Sequence, residues 1–485
     1  MKKEHISSSL GIILVAFGII LLSPIIVALI ERDYYSILPF LVASMSSVAI
    51  GLLLQKAGGF LRNFDNLKRN EGFLIVALAW IVTAAMGAIP YLFYGLSPLD
   101  AYFESASGIT TTGATIFVDF SLYPKSLFLW RSLSQWLGGM GIVVLFVAIL
   151  PQFKVAGRQM FFAESPGPTE EKVTPRITQT AKALWLVYCV LTLLEIGCLI
   201  LVGMPVFDAV CNSLSTMAAG GFSPHPQSIM GYNSPTITWI IIGFMFLAGS
   251  NFACQYQTVA RRRLAALIKR EEFKGYTIII LTVSFFLAID LTFYNNGNWL
   301  ASIRESLFQI VSVVTTTGFS SSDFALWSIG AQTLIFSVML VGGCAGSAGG
   351  GIKVIRVILG AKYMRRELIQ LVHPRAVMPI KIDGKTVPDT IQFQVLAFLL
   401  FYIVLMTISA YAVTIIEGSA SIGLVGTAAT IGNIGPGFGE IGPMGTYGNL
   451  SWATKIIFIV NMIVGRLELI PFLAMLHPDF WRLKK

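Results

Sequence analysis

Apolar residues fall along this chain in long, nearly unbroken runs, not in the alternating or one-face patterns of soluble strands and helices. The runs cover residues 10–30, 38–54, 73–93, 127–150, 184–202, 237–253, 276–291, 326–341, 393–416 and 451–475. Most reach the ~20 residues that a helix needs to cross a ~30 Å hydrocarbon layer. The first has no small-residue cleavage site and no soluble chain after it, so it reads as a span and not as a signal peptide. The pattern predicts a polytopic helical membrane protein.

Polar side chains interrupt this pattern at repeating places. The run SLFQIVSVV ends in TTTGFS, and the same TTTG occurs at 110–113 after FESASGI. Aligned on Gly113 and Gly318, the two stretches share Phe103 and Phe308, polar Glu104 and Gln309, and Ser107 and Ser312. CNSLSTMAAGGFS fits the same frame on Gly221, with Asn212 and Ser215 at the polar and serine positions. VGTAATIGNIGPGF fits it on Gly435, with Gly426 and Ala429 there. Each copy follows one span and a half-helix of about a dozen residues, and precedes a second span. A half-helix too short to cross must enter the membrane and return, and its non-helical backbone must line a cavity or be buried in protein.

The expected fold is therefore an all-α membrane protein in which four tandem helix–pore-helix–helix repeats surround one ion pore in a pseudo-fourfold arrangement. Two extra N-terminal helices occupy 1–70; the repeats are 71–180, 181–274, 275–390 and 391–485. The candidate ion-binding segments are Thr110, Thr111, Thr112 and Gly113; Ala218, Ala219, Gly220 and Gly221; Thr315, Thr316, Thr317 and Gly318; and Gly432, Asn433, Ile434 and Gly435. Glycine tolerates left-handed backbone, so successive carbonyls can turn to one axis, and threonine can add hydroxyl oxygens. The partly negative C-terminal end of each half-helix favours a cation. Carbonyl oxygens that replace a hydration shell are the chemistry of potassium filters. No arginine or lysine is expected at the constriction, as an anion pore would need.

Charge refines the topology. Only 12% of residues are charged, yet the net charge is +9. The basic residues gather in alternate connections, around Lys56 to Arg69, Lys154 to Lys182, Arg261 to Lys274 and Lys353 to Lys385, while 417–450 has none. By the positive-inside rule these connections and both termini are cytoplasmic, and the charge calls for no nucleic acid partner. The five cysteines and four histidines are scattered without metal-ligand spacing, and no catalytic constellation appears, so no enzyme is expected.

TTTGAT at 110–115, AAGGFS at 218–223, TTTGFS at 315–320 and GNIGPG at 432–437 resemble the four filter segments of the Trk/Ktr/HKT potassium transporter superfamily. The two extra N-terminal spans make the likeness greatest to its TrkH/TrkG-type membrane subunits. The resemblance implies a bound and transported potassium ion, no organic cofactor in this chain, the bacterial inner membrane, and a homodimer with one pore per protomer. It also implies regulation by a TrkA-like cytosolic NAD/ATP-binding protein. The segments depart from the TVGYG of potassium channels, each having one principal glycine, so weaker discrimination against sodium and lithium is expected. A proton- or sodium-coupled cation symporter is the alternative.

Two further features suggest a gate. GGCAGSAGGG at 342–351 contains Gly342, Gly343, Gly346, Ser347, Gly349, Gly350 and Gly351, and each interior glycine costs a helix about 1 kcal/mol. It reads either as an unwound loop below the filter or as a close helix-packing site; the resemblance implies an intramembrane gate. Arg466 stands deep in the last span, where a charge is expensive. It either snorkels toward the cytoplasm, pairs with Glu468, or, as the resemblance implies, faces the gate. Asp119, Asp323 and Glu440 follow their glycines closely and form either an acidic vestibule or ordinary solvated loop carboxylates.

Overall fold

The computed structural model describes residues 3–60, 69–149, 177–261, 265–294, 298–467, 469, 472 and 475–481. Glu468 and several of the basic loop residues, among them Arg62, Lys68, Lys154, Arg158, Lys172, Arg176, Arg262 and Arg263, lie outside these. The described chain is helical apart from a hairpin of β1 (Lys381–Ile382) and β2 (Lys385–Thr386). Among the described residues six helices are long and apolar enough to cross a membrane, seven if one bent pair counts as a span. The protein is a multi-pass membrane protein.

The first span is α1 (Lys3–Ile20) and α2 (Ser23–Ile30), broken just before Pro24, and it returns through α3 (Ile37–Ala57). Small residues let α1 and α3 touch backbone to backbone. A Cβ on Gly11 would lie 2.5 Å from Gly51 O, and the Ser44 and Ser47 hydroxyls donate to Gly18 O and Leu14 O. In an apolar solvent such close packing takes over from the hydrophobic effect as the force between helices.

Four units follow. The first holds α4 (Arg69–Leu92), the half-helix α5 (Pro98–Ile109) and α6 (Lys125–Ile149). The second holds α7 (Ile177–Leu201), the half-helix α8 (Val206–Ala218), α9 (Pro235–Ala248) and α10 (Phe252–Arg261). The third holds α11 (Glu271–Tyr294), the half-helix α12 (Trp299–Val314), α13 (Ile329–Met339) and α14 (Val354–Val372). The fourth holds α15 (Asp389–Glu417), a π-turn at Ile422–Gly426 running into α16 (Thr427–Ile431), and α17 (Trp452–Arg466).

Local chemistry sets where these elements start. Ser97 caps α5 by accepting from Asp100 N, with Pro98 at the first helical position, and Asn298 caps α12 from Ala301 N. Ser234, Ser328 and Ser451 cap α9, α13 and α17 in the same way. These caps recur because each chain re-enters a helix from a loop with four orphan N–H groups to satisfy.

The apolar runs overstate helix continuity in three places. The run at 237–253 bends by 100° between α9 and α10 at Gly249, Ser250 and Asn251. The run at 326–341 stops at Met339, and the chain stays non-helical until Val354, a longer interruption than 342–351. The run at 451–475 holds a helix that ends at Arg466. The fourth half-helix is also shorter than a dozen residues of regular α-helix, because half of it is the π-turn.

Glycines on the second helix of a unit seat the half-helix ends. A Cβ at Gly138 on α6 would sit 1.8 Å from Ile109 O, and one at Gly465 on α17 would sit 2.1 Å from Ile431 O. Overpacking of this kind costs roughly 1–3 kcal/mol or more. Gly138→Ala is expected to lower the thermal midpoint of the detergent-purified protein by several degrees. Gly243→Ala, where the added Cβ meets nothing within 4 Å, is the control and leaves it unchanged.

Candidate ion filter and gate

The four segments after the half-helices share one backbone pattern. The second and fourth residues have positive φ in every copy: Thr111 55° and Gly113 82°, Ala219 55° and Gly221 79°, Thr316 59° and Gly318 79°, Asn433 53° and Gly435 99°. Residues of positive φ alternating with residues of negative φ turn successive carbonyls toward the same side, where a strand would send them to opposite faces. Left-handed angles cost a non-glycine residue roughly 1–2 kcal/mol, so packing must hold Thr111, Ala219, Thr316 and Asn433 in place.

The segments meet in a closed ring. A Cβ on Gly113 would lie 2.2 Å from Gly220 O, one on Gly221 2.0 Å from Thr317 O, and one on Gly318 2.0 Å from Ile434 O. The circle closes where a Cβ on Gly435 would lie 2.6 Å from Thr112 O. Each glycine thus abuts the carbonyl before the glycine of the next copy. All four glycines line one cavity of about 70 Å³, large enough for several waters.

Most of the threonine hydroxyls brace this ring instead of supplying it with oxygens. Thr110 and Thr112 hydroxyls contact each other at 2.8 Å, as do those of Thr315 and Thr317. Thr110 and Thr315 also donate to Ala106 O and Val311 O of their own half-helices at 2.7 Å. Behind the ring, Glu104 accepts from Ile116 N at 2.9 Å, while Ser312 and Gln309 donate to Phe319 O. The fourth segment is held by Tyr447, whose hydroxyl donates to Gly435 O at 2.7 Å, and by Asn433, whose amide donates to Thr112 Oγ1 and Met462 O. The second is gripped by Gln135 from α6, through Gly220 O and Phe222 N. Gln135 and Tyr447 carry no motif signal; only their place inside apolar or glycine-rich sequence marks them as polar groups in need of a partner.

No arginine or lysine belongs to the four ring segments, but a basic residue does line the cavity beside them. Arg131 on α6 lines it, fully buried, and pairs with Glu104 at 2.8 Å. Its guanidinium also lies over the Phe222 and Phe117 rings at 4.1 and 4.6 Å. The pair is neutral as a unit, so the buried arginine adds no net charge at the cavity. The three carboxylates stand apart from the cavity. Asp119 and Asp323 accept from Ser121 N and Ala325 N in their own turns, and neither they nor Glu440 line the cavity.

The glycine-rich loop lies against the other end of the ring. A Cβ on Gly349 would sit 2.6 Å from Thr315 O, and one on Gly350 2.5 Å from Gly432 O. Gly350 N donates to Thr316 Oγ1 at 2.6 Å. Gly342 packs on Gly350 and Gly351, folding the loop back on itself, and Gly343 O accepts from Val354 N. Ser347 closes an inner turn on Cys344 O. The kink between α9 and α10 grips the far side: Gly249 O accepts from Cys344 N, Gly346 O from Phe252 N, and Asn251 donates to Ala345 O at 2.6 Å. Lys353 donates to Gly349 O, and Glu272 accepts from Ala345 N. Asn251 and Glu272 escaped sequence reading, and Lys353 entered it only as part of a basic connection; the GSN inside the apolar run at 237–253 is the signal that was there to find. Arg466 is buried and faces inward, donating to Ala348 O of the loop at 3.0 Å and to Gly138 O of α6 at 3.1 Å.

This geometry has close relatives. The profile of TrkH, a cation transport protein, matches residues 42–293 and 276–479. The Trk system potassium uptake protein TrkH of Salmonella typhimurium is 38% identical over 487 residues, covering 99% of this chain and 100% of the relative. The Trk system potassium uptake protein TrkG of Escherichia coli is 32% identical, with 99% and 100% covered. The crystal structure of the potassium transporter TrkH from Vibrio parahaemolyticus superposes with a TM-score of 0.90 at 34% identity, over 99% of this chain and 100% of that one. Likeness along the full length, in sequence and in fold, places this transporter, which is not an enzyme: the chain belongs to the TrkH family of cation transport proteins.

Proposed function

We propose that this chain conducts potassium ions across the bacterial inner membrane through a filter built from residues 110–113, 218–221, 315–318 and 432–435. One observation carries the reading: the four glycines and the four carbonyls beside them interlock in a single ring around one cavity. A dehydrated alkali ion needs several oxygens at once, and backbone carbonyls of alternating handedness offer them without a fixed negative charge. The loop at 342–351 acts as the gate, a role supported by the contacts of Gly349 and Gly350 with the ends of the third and fourth segments. Arg466 holds that gate shut and sets a positive charge beside the cation path. Both termini are cytoplasmic, as the placement of the basic connections argues. Regulation by a cytosolic nucleotide-binding protein and assembly as a homodimer complete the reading, resting on the resemblance of the four segments to the filters of the Trk/Ktr/HKT superfamily.

The test is ion flux through purified protein in liposomes. Wild-type protein is expected to pass potassium and rubidium in preference to sodium. Gly318→Ser places a side chain on a φ of 79°, within 2.0 Å of Ile434 O, and is expected to abolish most of that preference. Unaltered selectivity in a folded Gly318→Ser protein overturns the filter assignment. Arg466→Ala removes two charge-assisted hydrogen bonds, each worth roughly 1.5–3 kcal/mol, and is expected to raise regulator-free flux at least about tenfold. Flux unchanged or lowered would mean that Arg466 does not restrain the loop.

A further inference from the structure

We infer that Gln135 is a positioning residue that sets ion discrimination by fixing the second filter segment from the neighbouring unit. This rests on the filter reading above and assigns a specificity role to a side chain outside the four segments.

Ala218, Ala219, Gly220 and Gly221 form the one segment of the four with no polar side chain of its own. The first and third have paired threonine hydroxyls, and the fourth has Asn433. Gln135, fully buried on α6 one turn beyond Arg131, supplies what the second lacks. Its Nε2 donates to Gly220 O at 2.6 Å, and its Oε1 accepts from Phe222 N at 3.0 Å. The amide therefore clamps the peptide groups on either side of Gly221, and Gly220 O is the carbonyl that abuts Gly113 in the ring.

Gly220 carries the independent mark of this clamp. It stands where the first and third segments have Thr112 and Thr317, and it is not among the residues of positive φ, so its backbone does not demand glycine. The three atoms nearest a Cβ there all belong to Gln135, with Cδ at 2.5 Å. Glycine at 220 is the space that Gln135 occupies. A ring in which one carbonyl is loose can close in on the smaller sodium ion, so releasing Gly220 O weakens discrimination more than it weakens conduction.

The experiment uses the full-length protein in liposomes and reads the ratio of potassium to sodium flux beside the thermal midpoint in detergent. Gln135→Met keeps the volume and loses both hydrogen bonds; the ratio is expected to fall about tenfold, with sodium flux maintained or raised. Gly220→Ala pushes the amide out and is expected to lower the ratio likewise in wild type, yet to cause no further fall in a Gln135→Ala background. A merely structural Gln135 would lower stability and total flux and leave the ratio alone, which overturns the inference. So would equal effects of Gly220→Ala in both backgrounds. A wild-type protein with no potassium preference sinks the filter reading itself and is distinguishable from either result.

Discussion

Non-helical backbone at the centre of a membrane protein must be buried in protein or line a cavity, and this structure depends on how its hydrogen bonds are met there. Four short segments leave their half-helices with carbonyls turned inward and with left-handed residues that sequence alone disfavours. Each is held from behind by a side chain or a backbone group of a neighbour. The ring survives because every segment leans on the next, so that Gly113, Gly221, Gly318 and Gly435 are each required by a carbonyl from another unit.

The four copies solve the same problem with different chemistry. Threonine pairs hold the first and third, an amide from α6 holds the second, and a tyrosine hydroxyl with an asparagine holds the fourth. The buried Glu104–Arg131 pair belongs to the same scheme: Glu104 fixes the backbone after Gly113, and Arg131 neutralises it while stacking on Phe222 of the second unit. The centre thus combines geometric near-symmetry with chemically unequal quadrants. The divergence of the second and fourth segments from TTTG follows from this, since a brace delivered from elsewhere relieves the segment of carrying its own.

The glycine-rich loop at 342–351 obeys the same constraint. Its peptide groups are met by Gly249 O, Asn251, Glu272, Lys353 and Arg466, contributed by the second, third and fourth units. The break between α9 and α10 is part of this arrangement, because unwinding Gly249 to Asn251 frees the very groups that bind the loop. Movement of the loop would have to exchange these bonds for others, which makes two discrete arrangements more natural than a continuous slide.

The sequence by itself determined the membrane class, the frame of four copies and the identity of the ring. Those depend on local rules: the length of an apolar run, and a glycine that permits positive φ at 113, 221, 318 and 435. It also marked the loop at 342–351 and Arg466 as exceptional, because glycine in a helix and charge in lipid are each costly wherever they stand. Tertiary structure alone decided that Gln135, Tyr447, Asn251 and Arg131 serve the site, that three apolar runs are not continuous helices, and that the threonines face one another. Gln135 and Asn251 find their partners 85 and 94 residues away, and Tyr447 and Arg131 find theirs 12 and 27 residues away across a turn of the chain; hydropathy and spacing carry no information about either kind of pairing.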